Sequence, residues 1–297
     1  MFVSVQNIVK KYGNQFALNK VSFSLKKGEV VGFLGPNGAG KSSMMKIITG
    51  FMEASSGDVF IDEVKMTTFS TAIKKQIGYL PEHNPLYVEM FVKEYLSFLA
   101  EIHSLDKSAV DKAIKAVGLT PEASKKIKHL SKGYRQRVGL AGAIMHNPSV
   151  LILDEPTTGL DPNQLVEIRD LIKSLAVDKV VLLSTHIMQE VEAMCDRVII
   201  INKGEIVADE SLVVLKEQQV QLLEVEFDRN ISITEIQELK YLKKATNYTG
   251  LSWVLTFNTS IDMRATVFDF AHDKGYKILQ LTAKDKSLES LFSALTT

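Results

Sequence analysis

Val30-Val31-Gly32-Phe33-Leu34-Gly35-Pro36-Asn37-Gly38-Ala39-Gly40-Lys41-Ser42-Ser43 is the stretch on which the fold turns. Residues 30–34 run without a polar side chain, the pattern of a strand buried on both faces of a sheet. Gly35 to Ser42 then match GxxxxGK[ST]. The glycines let backbone N–H groups turn inward around phosphate oxygens, and the N-terminus of the following helix adds its partial positive charge. Lys41 can reach the β- and γ-phosphates, and Ser42 can ligate Mg²⁺. The helix runs from about Lys41 to Gly50, a C-cap glycine. Strand, glycine loop and helix in that order are the context the pattern requires.

Residues 150–153, 180–183 and 198–201 are further apolar runs of strand length. Strands separated by helices predict a mainly parallel sheet with covering helices. The first of these runs ends in Asp154-Glu155. Ligands of open α/β sheets sit at the carboxyl ends of the strands, so Asp154 is placed to hold Mg²⁺ and Glu155 to polarise a water beside the γ-phosphate. Residues 2–9 and 21–25 also read as strands, with Lys27-Gly28-Glu29 as a turn between hairpin strands. From 89 to 118 the pattern is helical, with Tyr95, Phe98, Leu99 and Ile102 recurring at helical spacing. Leu130-Ser131-Lys132-Gly133-Tyr134-Arg135-Gln136-Arg137 reads as a helix start, where Ser131 can N-cap and free N–H groups can bind an anion. Taken alone, it is an ordinary basic helix start.

Past residue 214 the pattern changes. Leu223, Val225 and Phe227 alternate with glutamates, and Leu251, Trp253, Leu255 and Phe257 alternate with polar residues, as in strands with one wet face. Residues 262–273 read as a helix ended by Gly275, and 276–281 as a strand. Leu288, Leu291, Phe292 and Leu295 form an i, i+3, i+4, i+7 stripe on a terminal helix. Residues 215–297 are therefore expected to form a small α+β domain of ferredoxin-like type.

The chain has 297 residues, a length that predicts about two domains. Its 35 basic residues balance 35 acidic ones, which argues against a main role in non-specific grip on nucleic acid, because that grip needs surplus cations to replace counterions. One cysteine, Cys195, rules out an intrachain disulfide and fits a reducing compartment. No apolar run approaches the roughly 18–20 residues of a spanning helix. Residues 1–9 are uncharged and Lys10-Lys11 follow them, which is not the layout of a signal peptide.

The Gly35–Ser42 loop, the Ser131-to-Arg137 segment, Asp154-Glu155, Gly159-Leu160-Asp161 and Ser184-Thr185-His186 occur in this order over residues 1–214. Together they resemble the nucleotide-binding subunit of an ATP-binding cassette (ABC) transporter. The resemblance implies a P-loop NTPase cassette with a RecA-like core, an antiparallel β subdomain and a helical subdomain at about 83–145. It implies an Mg²⁺-dependent ATPase with ATP on Gly35, Pro36, Asn37, Gly38, Ala39, Gly40, Lys41, Ser42 and Ser43, and Mg²⁺ on Ser42, Glu82 and Asp154. Tyr12 matches the aromatic that stacks on adenine. Glu155 matches the catalytic base, and His186 the histidine that holds the γ-phosphate. Ser131 and Gly133 match the signature that contacts ATP bound by the opposite subunit, and Asp161 belongs to the turn that crosses the dimer interface. The implied working form is a head-to-tail dimer, of two copies or of this chain with a paralogue. A separate membrane permease would hold it, with no nucleic acid partner, at the cytoplasmic face of the cell membrane.

Three departures matter. Glu82 stands where the family usually has glutamine, which keeps an oxygen for Mg²⁺ but adds charge near the phosphates. Lys132 and Tyr134 replace the commonest signature residues, while Ser131 and Gly133 are retained. Asn84-Pro85-Leu86-Tyr87, the form of the signature and Ser287-Leu288-Glu289 resemble ATP-binding subunits of ABC-2 type exporters, and residues 80–87 are similar to the gliding-motility-associated one. The alternative is a soluble ABC ATPase acting on ribosomes or nucleic acid. Such proteins usually carry two cassettes, coiled-coil insertions or zinc motifs, and this sequence has one phosphate loop, no CxxC pair and no heptad run.

Overall fold

β1 (Val3–Tyr12) and β2 (Gln15–Leu25) pair as an antiparallel hairpin closed across Tyr12 and Gln15. The computed structural model describes residues 2–217, 221–259 and 261–284. β4 (Ser56–Ile61) pairs with the free side of β1, and β5 (Val64–Lys65) with β4, giving a sheet of order β2-β1-β4-β5. The hairpin turn therefore lies at Gly13 (φ 58°), not at Lys27-Gly28-Glu29 as the sequence pattern suggested. Those residues instead carry the chain from β2 into β3 (Glu29–Leu34), which belongs to a different sheet. Gly28, at φ 86°, makes that change of sheet sterically easy.

β3 is the middle of the second sheet, of order β10-β9-β3-β8-β7-β6. β6 (Ile77–Leu80), β7 (Val150–Asp154), β8 (Val180–Thr185), β3 and β9 (Arg197–Asn202) run parallel, and β10 (Glu205–Ser211) closes the edge antiparallel to β9. Every residue of β7 and β8 is buried, which is why they read as unbroken apolar runs. α1 (Lys41–Ile48) inserts Met44, Met45 and Ile48 into the core that also holds Val5, Leu18 and Ile152. The two sheets and this helix thus share one hydrophobic core.

The expected helical run at 89–118 is two helices, α3 (Val92–Ile102) and α4 (Lys107–Ala116). Ser104 turns left-handed (φ 56°), and Asp106 caps α4 by accepting the Ser108 N–H at 2.8 Å. The buried stripe of α3 is Val92, Tyr95, Leu96 and Ala100. Of the apolar residues at helical spacing, Phe98 and Ile102 are exposed. α5 (Lys132–Ile144) packs against both helices. α2 (Thr71–Lys74), α6 (Pro162–Ala176) and α7 (Met188–Met194) complete the helices of this unit.

The chain divides into two compact units between Ser211 and Leu212. The second opens with α8 (Leu212–Glu217) and continues as β11 (Gln221–Phe227), α9 (Ile233–Ile236), β12 (Leu242–Asn247), β13 (Ser252–Phe257), α10 (Arg264–Asp273) and β14 (Ile278–Lys284). Its four antiparallel strands lie in the order β14-β11-β13-β12. A βαββαβ chain with this strand order has ferredoxin-like topology. Leu223, Val225, Phe227, Trp253, Leu255 and Phe257 turn one face of the sheet onto Ile236, Val267 and Ala271. α10 starts two residues later than its sequence pattern, because Asp262 accepts the Arg264 N–H at 3.0 Å and so occupies the approach to the helix. The stripe at Leu288, Leu291, Phe292 and Leu295 lies outside the described residues.

Trp253 is the one tryptophan of the chain and is buried in this second core. Phe257→Ala, which empties a fully buried ring site in the same core, should cost about 3–5 kcal/mol. Urea unfolding followed by Trp253 fluorescence should show a clearly lower midpoint, and an unchanged midpoint would refute this assignment of the core.

Candidate functional site

Leu34 is in register with Thr185, and Asp154 with Ser184, so the carboxyl ends of β3, β8 and β7 lie side by side. The phosphate loop leaves the first, His186 follows the second, and Asp154-Glu155 end the third. Two glycines of the loop are sterically required. A Cβ on Gly35 would fall 2.5 Å from the Ile201 carbonyl oxygen, and one on Gly40 (φ 108°) would collide with the Ala17 carbonyl. Gly38 is also left-handed (φ 81°) but faces open space.

Lys41 opens α1 and is buried. Its Nζ donates to the carbonyls of Gly35 at 2.7 Å and Pro36 at 3.2 Å. Burial pulls its pKa down, against the opposing attraction of Glu155, Asp154 and Glu82. Lys41 lines a cleft of about 540 Å³ together with Asn37, Gly38, Gly40, Ser42 and Ser43 of the loop. The far wall is Glu82, Glu155 and His186. Tyr12 stands at the rim, half exposed, with its hydroxyl donating to Met52 Sδ at 3.1 Å and 3.4 Å from Ser43 Oγ.

Glu155 is the strained residue of the site. Its backbone is left-handed (φ 52°), a conformation that costs a non-glycine residue about 1–3 kcal/mol. Its N–H donates to the Ser184 carbonyl at 3.2 Å and to Ser184 Oγ at 3.1 Å, and its own carbonyl accepts from Gln136 Nε2 at 3.3 Å. The side chain meets His186, with Nδ1 2.9 Å from Oε1, while Oε2 is buried without a protein partner. Burial raises the Glu155 pKa, and the bond to His186 works against that rise.

Asp154 is 2% exposed and accepts a hydrogen bond from Ser184 Oγ. Ser42, Glu82 and Asp154 together line a second cavity, which shares Ser42 and Glu82 with the first. This is a set of hard oxygen donors with two carboxylates. Among the described residues no cluster of three or more His, Cys, Asp or Glu could hold a metal ion by itself. The set therefore fits Mg²⁺, which keeps water and takes phosphate oxygens as its remaining ligands.

Ser131, Gly133 and Asp161 do not line the phosphate-loop cleft. Ser131 caps α5 by accepting the Tyr134 N–H at 3.3 Å, and Asp161 caps α6 by accepting the Gln164 N–H at 2.9 Å. A Cβ on Gly133 would strike Gln164 Oε1 and come within 3.2 Å of the Gly159 carbonyl, so these two helix starts are packed against each other. Sequence reasoning assigned no role to Thr158 or Ala17, which line the cleft, nor to Gln136. Thr158 stands next to the Gly159 turn, which was a usable signal. The Gln136 contact to Glu155 joins residues far apart in sequence and leaves no local pattern.

The model of the family described as "ABC transporter" matches residues 18–158. A Bacillus subtilis protein described as the uncharacterized ABC transporter ATP-binding protein YdbJ is 41% identical over 211 residues, covering 70% of this chain and 68% of its own. The chain belongs to the ABC transporter ATP-binding protein family. That family binds and hydrolyses ATP. The bacitracin transport ATP-binding protein BcrA of Bacillus licheniformis is 29% identical over 297 residues, covering 99% of this chain and 96% of its own. The solved dimeric structure of MJ0796, a bacterial ABC transporter cassette, superimposes with a TM-score of 0.65 at 28% identity, covering 71% of this chain and 98% of that one.

The raised pKa of Glu155 has a measurable consequence. The folded chain holds this proton more tightly than the unfolded chain, so ionising Glu155 costs stability as pH rises from the ordinary carboxylate range through the raised folded value. Glu155→Gln removes that cost. Its gain in thermal midpoint over wild type should be small at about pH 4 and grow toward about pH 8. A gain that does not change with pH would show that the carboxyl is not perturbed.

Proposed function

We propose that this chain is the ATP-hydrolysing subunit of an ABC-2 type exporter and drives a separate transmembrane permease. The observation that carries the reading is the cleft itself. The phosphate loop, a buried glutamate with one unbonded oxygen and a histidine line it together, while the Ser131–Gly133 signature lies outside it at the start of α5. A second copy, or a paralogue, placed head to tail supplies the missing wall. ATP then closes the dimer, and hydrolysis releases it.

In this reading the loop N–H groups and Lys41 bind the β- and γ-phosphates, and Tyr12 stacks on adenine at the rim. Ser42, Asp154 and Glu82 would hold Mg²⁺, which would supply positive charge to offset that of the phosphate oxygens. Glu155 Oε2 accepts a proton from the attacking water as its oxygen bonds to the γ-phosphorus and the bond to the β–γ bridging oxygen breaks. His186 Nδ1 is engaged by Glu155, which leaves Nε2 to the γ-phosphate.

No helix among the described residues is long and apolar enough to cross a membrane. The proposed location is therefore the cytoplasmic face of the cell membrane, reached through a permease docked on the helical subdomain. The end-to-end similarity to BcrA, which includes the second unit, supports the exporter reading. The gliding-motility reading rests on residues 80–87 alone and draws nothing further from the site.

Glu155→Gln should slow ATP hydrolysis about 100-fold or more, leave ATP binding intact and accumulate an ATP-bound dimer on size-exclusion chromatography. Hydrolysis at the wild-type rate would remove Glu155 from the base role. Glu82→Gln should keep substantial Mg²⁺-dependent turnover, and complete loss of turnover would count against an equivalent ligand role. Salt-resistant co-purification of the tagged chain with a polytopic membrane protein would support transport, whereas co-sedimentation with ribosomes without such a partner would overturn it.

A further inference from the structure

Ser184 is a polar residue at zero exposure near the end of β8, where the apolar run Val180-Val181-Leu182-Leu183 gives way to Ser184-Thr185. A buried hydroxyl needs partners, and the two it has are both acids of the site. Its oxygen accepts the Glu155 N–H at 3.1 Å, and its O–H is donated to Asp154 Oδ1. The direction of each bond is forced. A backbone N–H can only donate, so Oγ is the acceptor there, and the hydroxyl has one hydrogen, which is left for the carboxylate. One side chain on β8 thus engages both residues at the tip of β7.

We propose that Ser184 is a positioning residue for nucleotide hydrolysis, its hydroxyl fixing the Asp154 carboxylate for the metal and the left-handed Glu155 backbone for the attacking water. The inference rests on the hydrolytic reading of this cleft. Binding Oδ1 from below fixes the carboxylate about its last torsion and leaves the second oxygen free of that bond. Without the hydroxyl, Asp154 has to find another donor in a buried place, and Glu155 keeps only the Ser184 carbonyl on its N–H. Both consequences fall on the metal and the water. Neither falls on the phosphate loop or on the rim that holds the base. Ser184 therefore separates two steps that loss of Lys41 would confound.

The test uses the full chain with Ser184→Thr and Ser184→Val, which have the same shape at Cβ and differ in whether a hydroxyl is present. Ser184→Ala serves as a third variant without added volume, and thermal melts establish that each is folded. At saturating ATP, Ser184→Val and Ser184→Ala should lose about 10- to 100-fold in kcat with KM for nucleotide changed less than about threefold. Their half-saturating Mg²⁺ concentration should rise several-fold. Mn²⁺ titrated into the ATP complex and followed by EPR should bind several-fold more weakly, while ATP binding in EDTA stays at the wild-type level. Ser184→Thr should recover most of kcat and of Mn²⁺ affinity. Equal kcat and equal Mn²⁺ affinity across the Thr and Val pair would overturn the proposal, as would a loss confined to thermal stability. A wild-type chain that binds but does not hydrolyse ATP would overturn the hydrolytic reading and this inference with it, whereas an active wild type with an unaffected Val variant overturns the inference alone.

Discussion

The register between β3, β8 and β7 is the constraint from which the rest of the site follows. Three parallel strands buried on both faces cannot slip by one residue without moving every side chain out of the close-packed place it fills between the covering layers. Leu34 opposite Thr185 and Ser184 opposite Asp154 are therefore held as firmly as the core itself. The phosphate loop, His186 and the two acids inherit that placement. None of them needs to be fixed by its own loop, and this is why a loop as glycine-rich as residues 35–40 can still present its N–H groups to a phosphate in a defined direction.

The charges placed there are unbalanced. One buried lysine faces Asp154, Glu155 and Glu82, all of which act on it electrostatically. A triphosphate brought to this cleft without a divalent cation would meet more carboxylate than ammonium, and the oxygen donors around Ser42 are the means of correcting that. Glu82 in place of the usual glutamine makes the imbalance larger. In the proposed reading nucleotide and metal would arrive as one ligand, and burial raises the pKa of the Glu155 carboxyl against the opposing pull of its bond to His186.

Residues 30–43 made the loop legible because each requirement there is local: an apolar run, glycines where a Cβ would collide, and a lysine at a helix start. Asp154 and Glu155 were legible as a strand end for the same reason, whereas His186 was singled out only by the resemblance of Ser184-Thr185-His186 to the family's motif. The hairpin turn was misplaced because Lys27-Gly28-Glu29 has good turn chemistry, and only pairing partners distant in sequence reveal that its two strands lie in different sheets. The helical spacing of Tyr95, Phe98, Leu99 and Ile102 gave the helix but not its buried side, because periodicity identifies a stripe of apolar residues but not which of two adjacent stripes meets the core, and Phe98 and Ile102 are exposed. β6 is only four residues long, and β12, Leu242-Lys243-Lys244-Ala245-Thr246-Asn247, has no alternation of apolar and polar residues. Gln136 and Ser184 owe their contacts to tertiary register, which no short window of sequence contains.

The left-handed turn at Glu155 joins the two halves of this logic. Strain at that residue persists only because its surroundings over-determine it, and the hydrogen bonds that do so come from different elements. Ser184 belongs to β8 and is as immobile as the sheet. Gln136 belongs to α5, whose first turn carries Ser131 and Gly133 about one turn away on the same helix. In the proposed head-to-tail dimer, a displacement of that helix start would also displace the amide that bonds the Glu155 carbonyl. Glu155 would then be held between a sheet residue and a helix residue that answer to different contacts. Its geometry would depend on whether the signature is engaged, although the signature lies outside the cleft that Glu155 lines.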